Sequence, residues 1–329
     1  MRHGRIRSVS ANPRTPLEHG WQVARTSAGA IADASGIGGL AWQPARVPEP
    51  IRDPGSDDWW WRCPLPAALL AEGAMPLLVV DGIATRWDLW ADGEWIGHGE
   101  RASGAHELDL PRTARELVLC CRAPHSGIAG PWRAIAIERR TLWLGALALE
   151  VRCDGEDGVV EVALGVPGEL ERTELVVTRG DERVTAGLAA ELGVATGTAR
   201  IARCARWFPR GHGESARYAI AIELLRGGER VLIDLGLSGF RTRDGAAAAG
   251  HTRLATFDDD ARYDALDANG DEVVQQIAID ARDPAQRAEL VYQLQRLVGR
   301  PAIAALDGPD DPVIAAIVSG ILPGVPYVR

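Results

Sequence analysis

Residues 77–111, LLVVDGIATRWDLWADGEWIGHGERASGAHELDLP, restrict the possible folds of this chain more than any other stretch. Residues 77–80 are an apolar run. Residues 84–91 are the next predicted strand, with Trp87, Leu89 and Ala91 on one face. The pair Asp92-Gly93 follows, and such a pair takes the positive φ angles of a tight hairpin. Residues 94–97 then run back, and residues 106–110 alternate polar with apolar side chains. Strands this short, with turn signals every ~8–12 residues, predict an antiparallel sandwich.

The flanking sequence extends this pattern. Residues 1–20 are polar and Arg-rich and read as a loose arm; residues 21–24 read as an edge strand. A Gly-rich stretch and a Pro-punctuated loop precede Asp57-Asp58-Trp59-Trp60-Trp61-Arg62, which opens a strand. Residues 116–122 form another. A second β block starts near Trp143, with strands predicted at 146–153, 159–164, 174–179, 198–201, 218–225 and 231–235. That many strands in roughly 100 residues is the size of an immunoglobulin-like sandwich. After Arg243 the texture changes. Residues 246–249 are a poly-Ala run, 261–269 a short helix closed by Gly270, and 273–279 a buried strand. Residues 284–298 are an amphipathic helix, with Leu290, Leu294, Leu297 and Val298 on one side. Residues 302–306 are a strand, and 313–318 a helix or a strand. Alternating α and β segments predict a parallel sheet, with too few units to close a barrel of eight.

Composition removes several function classes. The net charge of −9 provides no basic field for nucleic acid or an acidic membrane surface. All basic residues other than histidine are arginine, so a lysine nucleophile or Schiff base is excluded. The five cysteines lack C-x-x-C spacing and suggest neither a disulfide framework nor a zinc site. No apolar signal segment and no membrane-length apolar run is present, and the expected setting is reducing and cytoplasmic. Aromatic content is skewed, with 11 Trp against 3 Phe and 4 Tyr. A flat indole either fills a sandwich core or stacks on a sugar ring.

The order of motifs resembles family 2 glycoside hydrolases, and within them the β-mannosidase branch. Asp58-Trp59-Trp60-Trp61-Arg62 is similar to the opening strand of that family's sugar-binding jelly roll. Asp81-Gly82-Ile83-Ala84-Thr85 with Leu89-Trp90-Ala91-Asp92-Gly93-Glu94-Trp95-Ile96-Gly97 resembles its hairpin, and Gly130-Pro131-Trp132-Arg133-Ala134-Ile135 its exit strand. Trp207-Phe208-Pro209-Arg210-Gly211-His212-Gly213-Glu214 resembles a stretch of its immunoglobulin-like domain, and Gly239-Phe240-Arg241 the junction to its barrel. Tyr263 to Gly270, on through Gln275, is similar to a segment of its barrel, Leu294 to Ala302 to the helix and entry before its acid/base strand, and Pro323 to Val328 to a loop beyond that strand. The resemblance implies a mainly β chain: an N-terminal jelly-roll (galactose-binding-like) sandwich over 1–140, an immunoglobulin-like β-sandwich over 141–243, and a small α/β remnant of a TIM barrel over 244–329.

A retaining glycosidase needs an acid/base and a nucleophile carboxylate roughly 5 Å apart. In the resembled family the acid/base Glu follows an Asn. Here the matching region reads Ala305-Leu306-Asp307-Gly308-Pro309-Asp310-Asp311-Pro312, leaving Asp310 and Asp311 as the catalytic candidates. The nucleophile strand is expected beyond Arg329, the aromatic loop before Trp132 is reduced to residues 123–129, and the early barrel strands are replaced by the Ala/Gly run. The resemblance therefore implies a catalytically incomplete homologue acting as a carbohydrate- or protein-binding scaffold. Two alternatives stay open: a glycosidase whose missing barrel half comes from a partner chain, and a structural partner without sugar affinity. Trp132, His125 and His212 are the sugar-contact candidates. His212 with Glu214 also reads as a metal or catalytic group or as a plain loop histidine, and Asp258-Asp259-Asp260 as a cation loop or a solvated one. His98, Glu100 and His106 are a possible polar cluster, and Ser103 reads as a loop serine. No metal or cofactor is expected. The expected partners are a β-linked mannoside or other glycan, and a protein partner or second copy covering the partial barrel.

Overall fold

A computed structural model describes residues 3–70, 75–84, 86–100, 106–122, 127–166, 171–242 and 251–328. It divides into two compact units, one of residues 12–142 and one joining residues 3–11 to 143–328.

In the first unit, the tryptophan run shows how alternation builds the layers. On the strand Asp58–Pro64, Trp61 points into the main core with Trp87, Leu89, Leu117, Leu119 and Cys121. Trp60 points to the opposite face, with Trp90, Val118 and Cys120. The sheet carrying these residues is antiparallel, in the order Glu94–Gly99, Trp87–Ala91, Glu116–Cys121, Asp58–Pro64, Gln22–Thr26, Gln43–Pro44. A second sheet, His106–Asp109, Met75–Val80, Ile135–Arg140 and Arg14–Pro16, supplies Leu78, Val80, Ile135 and Ile137 to the same core. The outer face is covered around Trp60 and Trp90 by the 3-10 segment Ala34–Gly39, whose Ala34 and Ile37 pack with them. This is the predicted sandwich, with three differences. The strand predicted over 84–91 is two strands, Ile83–Ala84 and Trp87–Ala91, in separate sheets. The stretch read as an edge strand is interior, because Gln22–Thr26 pairs on both sides. The segment read as a loose arm is built in, because Arg14–Pro16 pairs with Ile135–Arg140.

The second unit begins with a sandwich. One sheet runs Ser8–Val9, Glu229–Ser238, Tyr218–Arg226, Arg172–Arg179, Glu182–Gly187, and the other Leu147–Asp154, Asp157–Gly165, Val194–Ile201, Ala189–Glu191. Period-two burial of Tyr218, Ile220, Ile222 and Leu224 faces this core. Ser8–Val9 pairs with Asp234 and Ile233, so residues 3–11 belong here. A parallel sheet follows, Thr252–Leu254, Val273–Gln276, Ile303–Asp307, Tyr327–Val328, connected by α1 (Asp260–Asn269), α2 (Pro284–Leu297) and α3 (Pro312–Ile321). Its core holds Leu266, Leu290, Leu294, Leu297, Ile303, Leu306, Ile314 and Val318. The segment left open as helix or strand is the helix α3. Gly270 closes α1 in the left-handed conformation at φ 71°. The whole is mainly β with a small α/β portion, and no closed barrel is present among the described residues. Among them no helix is long and apolar enough to cross a membrane.

Candidate functional site

Parallel sheets offer ligands the crevice at the carboxyl ends of their strands, where side chains leave the hydrogen-bonded ladder and loops begin. Here those ends carry Arg253, Gln276, Asp307 and Tyr327. Arg253 Nη1 donates to Asp307 Oδ2 at 2.8 Å. Past Asp307 the chain turns at Gly308, where a Cβ would lie 2.7 Å from Tyr327 Oη, so a larger residue there would require the Tyr327 side chain to shift. The Tyr327 hydroxyl donates to the carbonyl of Pro309 at 2.6 Å and holds this turn.

The two catalytic candidates follow. Asp310 is exposed. Asp311 is the N-cap of α3. Its Oδ1 accepts from the N–H groups of Val313 at 2.8 Å and Ile314 at 3.2 Å, with Pro312 in the first turn. Asp-Pro at a helix start satisfies orphan donors and presets φ. A general acid must instead hold a proton and direct it at the glycosidic oxygen. In the described arrangement the Asp311 oxygen is turned to backbone donors and the Asp307 carboxylate to Arg253.

The acidic run is a structural junction. Asp259 Oδ1 caps α1 through the N–H of Arg262 at 2.7 Å. Asp260 pairs with Arg296 at 3.1 Å and Arg300 at 3.2 Å. The buried Arg300 also reaches Asp264 and Asp267, and Asp267 Oδ1 accepts from the Ala302 N–H at 2.9 Å. Burial pushes the Asp267 carboxyl above the ordinary range, against Arg300 and that N–H, which pull it down. Asp264 is held below the ordinary range: burial opposes this, and Arg7 and Arg300 outweigh it. Arg5 is buried in the same region and donates to Ser238 Oγ at 2.6 Å; burial first, then Arg300 and Arg7, lowers it to about 9. The solvated-loop reading fits Asp259, which is exposed in the loop before α1 while it caps the helix, but not Asp260, which opens α1 and pairs with Arg296 and Arg300. Among the described residues no cluster of three His, Cys, Asp or Glu side chains could hold a metal ion.

The sugar-contact candidates divide. His125 lies outside the described residues. Trp132, in the first unit, is half-buried, and the Arg133 guanidinium sits 4.2 Å from its ring centre. A sugar on that ring face would have to displace the cation. His212 is exposed on the loop after Trp207, which anchors to α1: Trp207 Nε1 donates to the Asp267 carbonyl at 2.7 Å, and the Arg210 N–H to Gly270 at 2.8 Å. The loop-histidine reading of His212 fits this placement. The His98, Glu100 and His106 group is divided. His106 meets Trp87 edge-on at 4.9 Å, whereas His98 stacks on Trp95 at 5.6 Å and Glu100 faces Arg86. Ser103 lies outside the described residues. Sequence reasoning missed Arg253 and Asp307. Their signal is position at a strand end, which emerges only when strand bounds are known to the residue.

No family model matches this sequence, and no curated protein sequence matches it. Solved structures do match. A β-glucuronidase from Ruminococcus gnavus in complex with D-glucuronic acid aligns with a TM-score of 0.75 at 14% identity, over 99% of this chain and 74% of that one. The β-D-mannosidase from Dictyoglomus thermophilum aligns at 0.73 and 14% identity, over 96% and 57%. Bacteroides uniformis β-glucuronidase 3 aligns at 0.73 and 12% identity, over 96% and 55%. This chain thus spans little more than half the length of the last two. Identities this low establish the fold alone, a fold this chain shares with these β-glucuronidases and this β-mannosidase.

Proposed function

We propose that this chain is a β-mannosidase-like homologue of family 2 glycoside hydrolases that binds glycan without hydrolysing it. The carrying observation is the state of the acidic groups at the carboxyl end of the parallel sheet. The Asp311 carboxylate caps α3 and Asp307 is held by Arg253. Hydrolysis with retention requires a proton-donating carboxyl and a nucleophilic carboxylate facing each other at about 5 Å. The fold neighbours include two glucuronidases and a mannosidase, one of them holding a sugar acid, which supports a glycan ligand in general. The mannoside choice rests on the motif order. The division into 1–140, 141–243 and 244–329, the sugar contacts at Trp132, His125 and His212, and a cytoplasmic setting for the five free cysteines belong to the same reading.

A second reading is favoured by the ends of the parallel sheet. Thr252–Leu254 and Tyr327–Val328 are each paired on one side only among the described residues. An unpaired strand edge is a template for another strand, here one from a partner chain or a second copy completing the barrel.

The test is hydrolysis of chromogenic β-mannoside and β-glucuronide by the purified chain, run beside binding to a glycan panel. Binding without turnover supports the first reading. Turnover that disappears in Asp310→Ala or Asp311→Ala overturns it. Absence of both turnover and binding also overturns it and leaves a structural partner.

A further inference from the structure

We propose that Trp95, braced by His98, is the stacking platform of a glycan site on the outer face of the six-stranded sheet, and that it takes neutral β-linked pyranosides. This deepens the glycan-binding reading and rests on it.

The argument begins with where the edge strand Glu94–Gly99 places its bulk. Inward positions are glycine because the core is already full. A Cβ on Gly97 would lie 2.7 Å from the Leu108 side chain, and one on Gly99 2.5 Å from the Trp87 ring. The register shifts between Trp95 and Gly97, and this bulge brings Trp95 and His98 to the same side. Their rings stack at 5.6 Å with planes 21° apart. The strand thus contributes two backbone-thin positions to the core and an aromatic pair to the outside.

Trp95 is 55% exposed, whereas the neighbouring Trp87 and Trp90 are buried. With His98 against one side of the indole, its other face is the one open to a ligand. The surroundings are polar. His98 on the same strand and Glu100 just after it are exposed, as is Arg86 opposite, and Asp88 pairs in register with His98. Arg122 Nε donates to Asp88 at 3.1 Å and fixes that carboxylate.

A protein hot spot would surround its aromatic anchor with apolar groups that exclude water. Here the exposed indole lies beside the buried Trp90 and is otherwise rimmed by the hydroxyl-binding groups His98, Asp88, Glu100 and Arg86, which matches a sugar instead. A β-linked pyranose of gluco or manno configuration presents its axial C1, C3 and C5 hydrogens on one ring face, and these lie flat on an aromatic ring. Its equatorial hydroxyls then reach carboxylates and imidazole at the rim. The two arginines on this side, Arg86 and Arg122, already face Glu100 and Asp88, so neither is left over to pair with the carboxylate of a sugar acid.

The test is affinity electrophoresis of the full chain through soluble β-mannan, β-glucan and a polyuronate, comparing wild type with Trp95→Ala, His98→Ala and, as an exposed tryptophan outside the proposed site, Trp143→Ala. Near-ultraviolet circular dichroism checks that Trp95→Ala keeps the tryptophan-packed core. The expected result is retardation of wild type by a neutral glycan, affinity at least about tenfold weaker in Trp95→Ala, a smaller loss in His98→Ala, and no change in Trp143→Ala. Equal retardation of wild type and Trp95→Ala overturns the platform and leaves the glycan-binding reading standing. Retardation by the polyuronate alone overturns the neutral class. No retardation of wild type by any glycan overturns the glycan-binding reading itself, and the platform with it.

Discussion

Asp311 shows how one dipeptide supports two readings. An acidic residue where a family places its acid/base is a catalytic candidate, and Asp-Pro before an apolar segment is also a helix start. The structure realises the second, since Asp311 accepts from two N–H groups of α3. Asp311→Ala is therefore expected to lower stability by about 1 kcal/mol, read from the urea midpoint. Asp310→Ala, at an exposed position without the cap, is expected to change it by less than about 0.5 kcal/mol. Equal effects would remove the cap as the explanation. Gly130 carries a different constraint, legible only in three dimensions. Its φ is +99°, and a Cβ there would sit 2.3 Å from the Trp61 ring. Gly130→Ala combines a disfavoured backbone conformation with overpacking against a buried indole. A loss of about 3 kcal/mol is expected, measured by denaturation of the full chain.

At the scale of elements, the sequence was legible wherever burial alternates and illegible where pairing is remote. Trp87, Leu89 and Ala91 read as one face and do line the main core. Glu182–Gly187 and Ala189–Glu191 carry no local strand signal, because they are largely exposed and lack an apolar stripe. Ser8–Val9 is a strand only through its partner, Glu229–Ser238, which lies more than two hundred residues away, and nothing local marks it as one. Turn chemistry was legible. Asp92 and Gly93 take φ of 48° and 86°, as the Asp-Gly pair predicts. The two turn glycines Gly93 and Gly270 separate backbone from packing effects. Gly93 has open space around its missing Cβ, while a Cβ on Gly270 would approach the Arg210 nitrogen at 2.7 Å. Gly93→Ala is expected to cost about 1 kcal/mol from the left-handed backbone alone. Gly270→Ala should cost at least about 1 kcal/mol more, because the loop after Trp207 must lift from α1. Thermal midpoints of the two variants give the comparison, and equal shifts would contradict the contact argument.

At the scale of the whole molecule, the part least legible in sequence is the participation of residues 3–11 in the second unit. An Arg-rich N-terminus reads as solvated because charged side chains usually are. Here Arg5 is buried against Ser238 and Leu237, and Arg7 pairs with Asp264 at 2.7 Å. His3 belongs to this arrangement. Its Nδ1 accepts the Arg5 N–H at 3.1 Å, so the ring serves as an unprotonated acceptor. Burial first, and then the Arg5 charge, lowers its pKa from 6.5 to about 4. In the unfolded chain the imidazole titrates near 6.5, so between that pH and about 4 the unfolded state binds a proton that the folded state resists. The contribution of His3 is therefore fully present above pH 6.5. It is lost progressively as the pH falls toward 4, and it levels off below. Urea denaturation followed between pH 7.5 and 4 is expected to show the midpoint falling through this window. In His3→Gln, which keeps a neutral side chain at every pH, the fall should be shallower. An identical slope in the two proteins would show that other groups, and not His3, set the acid sensitivity of the unit that contains the parallel sheet.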